Sequence, residues 1–527
     1  MLVSGALGAV VDMVDAVPDT DVLVVGAGPA GLALACALRL QGVSVRVVDA
    51  APGPASTSRA NILHARGAEV LDRLGALGEL PERALTALTV TQYLDGRSAI
   101  TVRFGDHGLG TARPALYVSQ ADIEAELRRR LHELGAGIDW GTALVDAAQD
   151  GHGVTGVLDD GRTVRCRWLA GCDGSHSTVR KLAGIGFPGV RLTEPFLLAD
   201  VHADMPVDRA GGHGWPHRDG PFFAVPMREV GRAHDLWRFM VYDPAGGDSV
   251  QGEQEVLERI RRLVPERTGR TDIRIEHAVW TSVFRVHRRL ADTYRRGRVL
   301  LVGDAAHIHS PLGGQGMVTG MGDAENLAWK LALVVRGLSA DALLDTYEAE
   351  RRPLATGVLA RTTTATRLQV GDTPLMRFLR RRVLVPLAAM PSVQRRASRL
   401  ASQLWVTYRN GPLARGTRYR SGGRPRQGDR VPDLPCTRPD GTRTRLHAEL
   451  GAQWALLAPA GDGADHLTEA RGRLGDAVAA LDFETRHGRR ELWLVRPDAH
   501  LAWRGGRTEA SRLARWLDES MHPNRSG

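Results

Sequence analysis

The first strong pattern along the chain is an apolar run, a helical repeat and a second apolar run near the N-terminus. Asp21–Val25 has the composition of a buried strand, Leu32–Leu40 carries apolar residues at helical spacing, and Val43–Val48 is again strand-like. The motif GAGPAG occupies positions 26–31, and Asp49 ends the second strand. A GxGxxG motif between a strand and a helix, with an acid at the end of the next strand, predicts a βαβ unit that binds a dinucleotide.

Each glycine of this motif has a different physical role. Gly26 allows the tight turn after the strand, Gly28 lets the backbone approach a pyrophosphate, and Gly31 permits close packing of the helix on the strand. Asp49 is placed to bind the ribose hydroxyls of an adenosine. The motif alone does not distinguish FAD from NAD(P).

A second block of the same kind follows the apolar strand end at 168–170. Asp173, Gly174 and Arg180 surround this strand terminus, and a short helix then ends at Gly184. The pattern places an acid and a glycine where a parallel strand would meet a ligand.

A third block begins with the apolar strand Val299–Val302 and continues with Asp304. A loop with five glycines in ten residues, 313–322, leads from it into a helix. Glycines let the backbone approach a ligand closely, and a helix N-terminus can bind an anion. This helix carries Asp323, Asn326 and Trp329 and continues over Glu325–Gly337. Another helix is predicted over Leu343–Arg352, ending before Pro353, since proline interrupts a helix. 

The middle of the chain has the alternating apolar and polar residues that are typical of short strands. The segment 89–117 is strand-like around Asp95-Gly96, which predicts a hairpin turn, and 191–282 is interpreted as a sheet-rich region. Strands are predicted at Pro221–Met227, Leu236–Tyr242 and Ile273–Trp280. Aromatic residues on strands usually belong to a core, and we expect about half of these to line an apolar cavity for a flat ligand. The candidate cavity residues are Phe222, Phe223, Pro226, Trp237 and Phe239.

The C-terminal part alternates strands and helices again. A Gly/Pro/Arg-rich segment, Tyr419–Pro435, predicts a linker. After it, strands at Trp454–Ala458, Leu492–Arg496 and Ala499–Trp503, with a helix at Glu469–Leu481, predict a small separate α/β domain.

Composition and charge exclude several classes of protein. A length of 527 residues suggests two to four domains. The net charge is +9, but the arginines are scattered and no nucleic-acid module is found, so we expect no nucleic-acid partner. The four cysteines lack CxxC spacing, which excludes a zinc or dithiol motif and predicts free thiols in a reducing cytoplasm. Residues 1–19 lack a signal-peptide pattern and no apolar run reaches membrane length, so we expect a disordered tail and no membrane partner.

Taken together, the three blocks resemble those of the class A flavoprotein aromatic monooxygenases, which have the p-hydroxybenzoate hydroxylase fold. Within that family the chain is most similar to the bacterial polyketide-tailoring and antibiotic-modifying hydroxylases. The resemblance extends from about position 20 to 520 and includes YRRGRVLLVGDAAHIHSPLGGQG, DAENLAWKL, YEAERRP and VRPDAHLAWR. It implies an α/β fold: a Rossmann-like, GR2-type FAD-binding domain, an interleaved β-sheet substrate domain, and a C-terminal thioredoxin-like α/β domain.

The domain limits that the resemblance implies are the following. After the tail at 1–19, we expect the FAD-binding domain in three parts, at 20–87, 117–190 and 281–415, the last of which includes a helical region. We expect the substrate domain at 88–116 and 191–280, and the thioredoxin-like domain at 425–520. Because Cys436 is the one cysteine of the last domain, we expect that domain to be redox-inactive and to serve packing or dimer formation.

The resemblance also implies roles for individual residues. The ADP part of FAD would be held by Gly26, Gly28, Gly31 and Asp49, and its diphosphate and ribityl region would be contacted by Arg59 and Gln120. Asp173 and Gly174 would serve both FAD and the pyridine nucleotide, and Asp304 would hold the ribityl chain. The pocket beside the reactive flavin carbon would be lined by Pro311, and the flavin N1–C2 edge would face the backbone amides of Gly316, Met317 and Val318. The chain departs from the family at Val318, where an asparagine is usual, so that side chain's hydrogen bond is absent.

The reaction implied by the resemblance is hydroxylation of a phenolic ring in a polycyclic aromatic, polyketide-type substrate. NADPH or NADH, binding transiently, reduces FAD, O₂ adds at the flavin C4a, and the resulting hydroperoxide transfers one oxygen atom. Baeyer–Villiger or ring-opening oxygenation on the same scaffold is the alternative, and a flavin-dependent reductase or dehydrogenase is a third. A non-catalytic binding protein is disfavoured by the intact motifs, and we expect a monomer or a homodimer. Candidates for a group that favours the phenolate are His217, Arg218, Arg285 and His287.

Overall fold

The structure is a computed structural model that describes several ranges of the chain. They are residues 18–55, 60–85, 89–94, 97–103, 110–228, 235–244, 252–308, 314–370, 382–383, 386–387, 390–414, 425–483 and 491–522, with side chains except at 94, 97, 102–103, 191–195, 284–287 and 358–370. None of the helices in these ranges combines the length and apolar content that crossing a bilayer requires.

The strands follow the chain in three groups. The first group is β1 (Thr20–Val25), β2 (Val45–Asp49), β3 (Ile62–Leu63), β4 (Thr89–Leu94), β5 (Arg97–Arg103), β6 (Leu116–Tyr117), β7 (Ile138–Trp140), β8 (Leu144–Gln149), β9 (Val154–Leu158) and β10 (Thr163–Gly171). The second is β11 (Gly189–Asp204), β12 (Gly212–Trp215), β13 (Phe222–Pro226), β14 (Leu236–Tyr242), β15 (Arg274–Leu290), β16 (Arg295–Arg296), β17 (Val299–Leu301) and β18 (His307–Ile308). The third is β19 (Pro435–Thr437), β20 (Arg443–Arg445), β21 (Trp454–Ala458), β22 (Val478–Asp482), β23 (Glu491–Val495) and β24 (Leu501–Gly506).

The α-helices of the described ranges connect these strands. They are α1 (Pro29–Leu40), α2 (Ala65–Leu74), α3 (Leu80–Arg83), α4 (Gln120–Glu133), α5 (Thr178–Leu182), α6 (Glu253–Thr268), α7 (Gly316–Val335), α8 (Asp345–Val370), α9 (Pro391–Ala401), α10 (Leu446–Glu449), α11 (Ala464–Leu474) and α12 (Ala510–Met521). Short 3₁₀ turns lie at Gly303–Ala305, Asp341–Leu344 and Pro412–Ala414.

The first sheet has eight strands and brings the three sequence blocks to one edge. Its order is β16-β17-β10-β1-β2-β7, with β8 and β9 continuing from β10. Strand β1 pairs in parallel with β2 and β10, and β10 pairs in parallel with β17. Val25 pairs with both Val48 and Gly171, and Gly171 pairs with Leu301. The carboxyl ends of four strands therefore meet at the same level, which is where open α/β sheets bind ligands. The predicted βαβ unit is confirmed.

Close packing at this edge depends on small residues. A Cβ added to Gly320 of α7 would lie 3.2 Å from the Cα of Gly303 and 3.3 Å from the Cβ of Ala30 on α1. Gly303 itself has a φ of +63°. Glycine at these positions lets α1, the turn after β17 and α7 pass one another almost backbone to backbone.

The second sheet also has eight strands, and its strands alternate with groups of strands of the first sheet along the chain. Its order is β18-β15-β11-β14-β13-β12-β4-β5, and its pairings are antiparallel except that of β12 with β4. The predicted hairpin is confirmed by the pairing of β4 with β5, although Asp95-Gly96 lies outside the described residues. The predicted strand Leu236–Tyr242 is observed with the same bounds.

One face of the second sheet is covered by α6, a helix that the sheet-rich interpretation of 191–282 missed. Its buried side chains recur at helical spacing, which was the available signal. They are Val256, Leu257, Ile260, Leu263 and Val264.

The third sheet has six strands in the order β20-β19-β22-β21-β23-β24. The predicted helix over Glu469–Leu481 is wrong, because α11 ends at Leu474 and β22 follows. Gly475 has a φ of +77°, which ends the helix, and Val478 starts a strand that pairs in parallel with β21. Trp454 of β21 makes an edge-to-face contact with Trp329 of α7, with ring centroids 5.1 Å apart, so this sheet shares a core with the first.

The prediction that the helix ends before Pro353 is also wrong, since α8 continues through that residue to Val370. A proline inside a helix costs about 3 kcal/mol, because it removes one backbone hydrogen bond and crowds the preceding turn. Here the preceding turn is held by side chains: Arg352 donates to the carbonyl of Ala291 at 3.2 Å. Tertiary contacts thus outweigh a local preference. Helix α7, in turn, begins at Gly316 rather than after the glycine loop predicted at 313–322, because Gly320 and Gly322 are helical.

Buried ion pairs connect the C-terminal sheet to α7 and α8. Arg496, which follows β23, donates two hydrogen bonds to the carboxylate of Glu350, at 2.8 and 3.0 Å, and also bonds Asp498. Asn326 of α7 donates to both Glu350 and Asp498, at 2.8 and 3.2 Å. Lys330, one helical turn further along α7, donates to Glu350 at 2.9 Å. Every charge in this cluster is almost completely removed from water, so each depends on its partner.

The charges of this cluster shift the pKa values of its members. Burial disfavours the charged form of Lys330 and lowers its pKa to about 8, although Glu350 opposes the shift. Burial likewise disfavours the charged form of Glu350, but Arg496 and Lys330 outweigh it and lower the pKa of the carboxyl to about 2.

We predict that Arg496→Met destabilises the protein by about 3–5 kcal/mol, because it leaves the buried carboxylates of Glu350 and Asp498 without their main partner. Arg83→Met is the matched control, since Arg83 pairs with Glu79 on the surface, and such pairs contribute at most about 1 kcal/mol. Urea denaturation of the apoprotein measures both. Equal denaturation midpoints for the two variants would contradict the prediction.

We also predict that the contribution of Glu350 disappears in acid. Its pKa is about 2 in the folded protein against a usual 4.5, so the unfolded chain takes up the proton first as the pH falls. The stabilisation is complete above pH 4.5 and is lost progressively toward pH 2. The difference in melting temperature between wild type and Glu350→Gln should therefore narrow over this interval, whereas Glu79→Gln, at an exposed position, should show a small and constant difference. A Glu350→Gln difference that is equally constant would refute the assignment.

Candidate active site

The site is built where three loops leave the carboxyl edge of the first sheet. The amide of Gly26 donates to the carbonyl of Val48 at 2.8 Å, that of Cys172 to Val25 at 2.8 Å, and that of Val302 to Gly171 at 2.9 Å. These bonds extend the parallel pairing by one residue into each loop. The loops of the three sequence blocks therefore leave the sheet at the same height along its strands.

Two glycines of the first loop are required by the protein itself. Gly26 has a φ of +106°, and a Cβ there would lie 2.4 Å from the carbonyl oxygen of Cys172. A Cβ on Gly31 would lie 1.9 Å from the carbonyl oxygen of Gly26. Larger residues at either position would push α1 or the second loop away from β1.

Gly28 and Gly316 are glycines for which the described residues give no internal reason. Gly28 has a φ of −75°, which any residue adopts, and a Cβ on it would meet no atom within 4 Å. A Cβ on Gly316, the first residue of α7, would also meet nothing within 4 Å. Both residues thus border open space, at the N-termini of α1 and α7, where backbone N–H groups attract anions.

Asp49 is held at the end of β2 with its carboxylate turned toward the first loop. One oxygen accepts a hydrogen bond from the amide of Ala27 at 2.6 Å, and the other from the amide of Ala51 at 2.8 Å. The side chain is only partly buried, so both oxygens keep capacity for further donors such as hydroxyl groups.

Asp173 carries a buried atom with unused hydrogen-bonding capacity. Its Oδ2 accepts from the amide of Val179 at 3.1 Å, whereas its buried Oδ1 has no hydrogen-bond partner among the described residues. A buried carboxylate oxygen without a donor is costly, which points to a ligand group at this position. The adjacent Gly174 has a φ of +73° and open space around it.

Arg180 joins the second loop to the third. Its guanidinium donates to the carbonyls of Ala305 at 2.9 Å and Ser175 at 3.0 Å, and it stacks over the ring of Phe187 at 3.9 Å. Burial lowers the pKa of Arg180, while Asp173 opposes the shift. The arginine predicted beside this strand terminus thus fixes the distance between the two loops.

Asp304 lies exposed in the 3₁₀ turn after β17, and a second acid beneath it holds that turn. Asp323 of α7 is fully buried and accepts from the amide of Gly303 at 3.2 Å, from His307 at 2.6 Å and from Arg351 at 2.6 Å. Burial disfavours its charged form, but Arg351 and His307 outweigh burial and lower the pKa of the carboxyl. The sequence showed Asp323 only as a helix residue, and no local pattern signals its bond to the turn.

The first turn of α7 presents the backbone amides of Gly316, Met317 and Val318. An α-helix leaves its first N–H groups without an intrahelical acceptor, and in α7 the amide of Thr319 is bonded to the carbonyl of Gln315 at 3.0 Å. The side chain of Val318 is 1 % exposed and packs toward α2, where a Cβ on Gly67 would lie 2.9 Å from it. The residue that departs from the family pattern therefore contributes its amide to the loop and its side chain to the core.

Gln120 begins α4, after Ser119 caps the helix by accepting from the amide of Ala121 at 3.1 Å. Its amide donates to the carbonyl of Ala60 at 3.0 Å, and its side chain donates to Glu124 at 2.8 Å. Gln120 is thus next to the segment that follows Arg59. Arg59 and Pro311 themselves lie outside the described residues.

The five candidate cavity residues are divided between the two faces of the second sheet. Phe222, Trp237 and Phe239 lie in the cluster covered by α6 and are at most 1 % exposed. They are core residues, so their assignment to the cavity is corrected: successive residues of a strand point to opposite faces, and these three share the α6 face. Phe223 points to the opposite face, whereas Pro226 is the cross-strand partner of Trp237 and lies buried on the same face as it, at the end of β13.

The opposite face of the second sheet carries a buried ion pair that the sequence did not reveal. Arg238 of β14 binds both carboxylate oxygens of Asp200 on β11, each at 2.7 Å. Phe223 and Met240 are cross-strand partners on this face. 

Two of the candidates for a phenolate-favouring group, His217 and Arg218, can be placed in the structure. His217 lies in the turn between β12 and β13, where Arg267 of α6 contacts it at 2.7 Å, and the side chain of Arg218 is 72 % exposed. His217 therefore belongs to the α6 side, and Arg218 belongs to the exposed surface. The side chains of Arg285 and His287 lie outside the described part of the chain.

The four cysteines are buried free thiols, as the sequence predicts. Burial raises the pKa of Cys436 to about 12. A thiol of this kind is a poor nucleophile at neutral pH.

Comparison with known proteins matches two parts of the chain to known families. Residues 19–362 match the FAD binding domain family, and residues 424–521 match the aromatic-ring hydroxylase C-terminal family. The chain is 36 % identical to the 6-methylpretetramide 4-monooxygenase of Streptomyces rimosus, with 96 % of this chain and 94 % of the relative covered.

Two solved structures share the fold over almost their whole length. The anhydrotetracycline hydroxylase OxyS of Streptomyces rimosus superposes with a TM-score of 0.78 at 32 % identity, covering 95 % of this chain and 99 % of that one. A ternary complex of aklavinone-11 hydroxylase with FAD and aklavinone superposes with a TM-score of 0.78 at 27 % identity, covering 96 % and 100 %. The fold class predicted from the sequence is confirmed, and the domain limits stay a prediction. The chain belongs to the FAD-dependent aromatic-ring monooxygenases.

Proposed function

We propose that this protein uses FAD, NAD(P)H and O₂ to hydroxylate a phenolic ring of a polycyclic aromatic, polyketide-type substrate. The observation that carries the proposal is the match over almost the full length of both chains to a 6-methylpretetramide 4-monooxygenase and to a hydroxylase solved with FAD and aklavinone. The first and second sheets, which would hold cofactor and substrate, both fall within the matched length.

The residues at the carboxyl edge of the first sheet fit the adenosine and diphosphate parts of FAD. The open space beside Gly28 leaves room for a diphosphate against the N-terminus of α1. Asp49 would bind the ribose hydroxyls, and Asp173 would direct its unpartnered Oδ1 to a donor of the cofactor. Gly26 and Gly31 act indirectly, by keeping β1, α1 and the second loop in contact.

The third block would hold the ribityl chain and the ring of the cofactor. Asp304 is exposed on a turn that Asp323 fixes, and the amides of Gly316, Met317 and Val318 form the free end of α7. A helix N-terminus carries roughly half a positive elementary charge, so this end would stabilise negative charge on the ring. When bound, reduced FAD supplies the activation of O₂, and the protein supplies position and a dry site.

The face of the second sheet that is not covered by α6 would contact the substrate. Phe223 is the member of the predicted set that points to this face, whereas Pro226, the cross-strand partner of Trp237, lies on the other one. Phe222, Trp237 and Phe239 would support the sheet from its other side, since all three are packed in the core with α6. The second sheet is thus expected to offer a stiff apolar surface to a flat molecule.

The decisive experiment is a product analysis with purified protein, FAD, NADPH or NADH, and a panel of polycyclic polyketide phenols under ¹⁸O₂. We expect substrate-dependent NAD(P)H oxidation and a product that carries one labelled oxygen as a new hydroxyl. A labelled ester, lactone or ring-opened product would indicate Baeyer–Villiger or ring-opening oxygenation instead. Turnover that is unchanged without O₂ would indicate a reductase or dehydrogenase, and apoprotein that binds no FAD would indicate a non-catalytic protein.

We predict that Gly28→Ala weakens FAD binding about tenfold or more, a loss of about 1.4 kcal/mol, because the added methyl group occupies the space left for the diphosphate. Gly137→Ala is the matched control: a Cβ there also meets nothing within 4 Å, and the residue is exposed before β7. Quenching of FAD fluorescence on titration of apoprotein measures the affinity. The melting temperature of the apoprotein should be lowered in neither variant. If Gly28→Ala binds FAD with wild-type affinity, the diphosphate does not bind at this loop.

A further inference from the structure

Among the described residues, two that are not glycine adopt the left-handed backbone conformation: Gln403 and Ala499, each with a φ of +58°. This conformation is unfavourable for residues with a Cβ, and such outliers persist where surrounding contacts hold them. The two residues differ in what their side chains do.

The side chain of Gln403 is 3 % exposed and bonds the start of α7. Its Nε2 lies 3.1 Å from the carbonyl oxygen of Gln315, 2.7 Å from Gln315 Oε1 and 3.1 Å from Thr319 Oγ1. Gln315 is the residue before α7 and Thr319 lies one turn into it. One carboxamide therefore contacts both ends of the first turn, whose amides are those of Gly316, Met317 and Val318.

The carbonyl of Gln315 is the acceptor on which this turn is built. It accepts from the amide of Thr319 at 3.0 Å and from its hydroxyl at 2.8 Å, in addition to Gln403. The side chain of Gln315 donates to the carbonyl of Ala401 at 3.0 Å and contacts His64 at 3.1 Å. The orientation of the first turn is thus set by residues 401–403 and not by the helix alone.

The backbone that carries Gln403 is itself anchored. The carbonyl of Ser402 accepts from the amide of Arg66 on α2 at 3.1 Å, and the amide of Leu404 donates to Ser402 Oγ at 3.3 Å. Gln403 is therefore held at a fixed distance from α2 while its side chain holds α7. A glycine would adopt its backbone conformation without strain, but it could not donate to Gln315 and Thr319.

Ala499 has the same left-handed φ but makes no side-chain hydrogen bond. Its methyl group has no polar atom, and its amide closes a tight turn by donating to the carbonyl of Arg496 at 2.9 Å. It lies between β23 and β24 of the third sheet. The two positions form a matched pair: the same left-handed φ, with a polar side chain at one of them only.

We propose that Gln403 is a positioning residue of the flavin site, which aims the amides of the first turn of α7 at the bound FAD. The strained backbone is retained because it brings the carboxamide to Gln315 and Thr319. The proposal rests on the placement of FAD at this turn in the proposed function. It assigns the role to a residue outside all three motif blocks.

The test uses three variants of the full chain: Gln403→Gly, which removes donation and strain; Gln403→Met, which removes donation and keeps the strain; and Ala499→Gly, which removes strain alone. In both Gln403 variants we expect FAD to dissociate about tenfold more readily and the two-electron reduction potential of bound FAD to become more negative. Amide hydrogen exchange at 316–319 should also accelerate in the apoprotein. Ala499→Gly should leave all three measurements at wild-type values.

A Gln403→Gly variant with wild-type FAD affinity, potential and exchange would overturn the proposal, even if Gln403→Met lowers the melting temperature, because the residue would then serve stability alone. The same shifts in Ala499→Gly would also overturn it, since backbone strain would be their cause. Failure of the proposed function is a separate result: the Gln403 variants would shift affinity, potential and exchange, while wild-type protein forms no oxygenated product from the phenol panel.

Discussion

The constraint on which the rest of the structure depends is the neutralisation of charge along α7. This helix begins at the ligand edge and then runs through the centre of the protein, where Asp323, Glu325 and Lys330 are all buried. Their partners come from different parts of the chain: Arg351 of α8 for Asp323, Arg73 of α2 for Glu325 at 2.6 Å, and Glu350 of α8 for Lys330. Because a buried charge without a partner costs several kcal/mol, α7 cannot rotate or slide without losing several partners together.

This arrangement explains which parts of the fold could be predicted from the sequence. The βαβ unit, the hairpin of β4 and β5, and β14 depend on neighbours in sequence, and local patterns located them. The start of α7 was misplaced because glycines normally weaken a helix, yet Gly320 is needed for its close approach to Gly303. Helix α8 was ended too early for a related reason, since contacts distant in sequence hold the turn before Pro353.

The residues of the candidate site also divide into those that a local sequence motif identifies and those that depend on contacts distant in sequence. Gly28, Asp49 and Asp173 were identified because their motifs are local, and the structure adds the open space and the unpartnered oxygen beside them. Asp323 and Gln403 were not identified, because the bonds that give them a role join residues 20 and 88 positions apart. Phe222 and Phe223 show a further limit: adjacent aromatic residues on one strand look equivalent in sequence, although one belongs to the core and the other to the opposite face.

The strand order of the first sheet has a consequence for how the protein is made. Strand β1 is completed early in synthesis, but its neighbour β10 is 146 positions behind it in register, as the pairing of Thr20 with Cys166 shows. At about 5–20 residues per second, β1 waits on the ribosome with one edge unpaired, and unpaired edges are where chains aggregate. Glu350 then waits a further 146 positions for Arg496. The fold is therefore completed only when the C-terminal sheet has been made, because until then the buried carboxylate of Glu350 lacks its main partner.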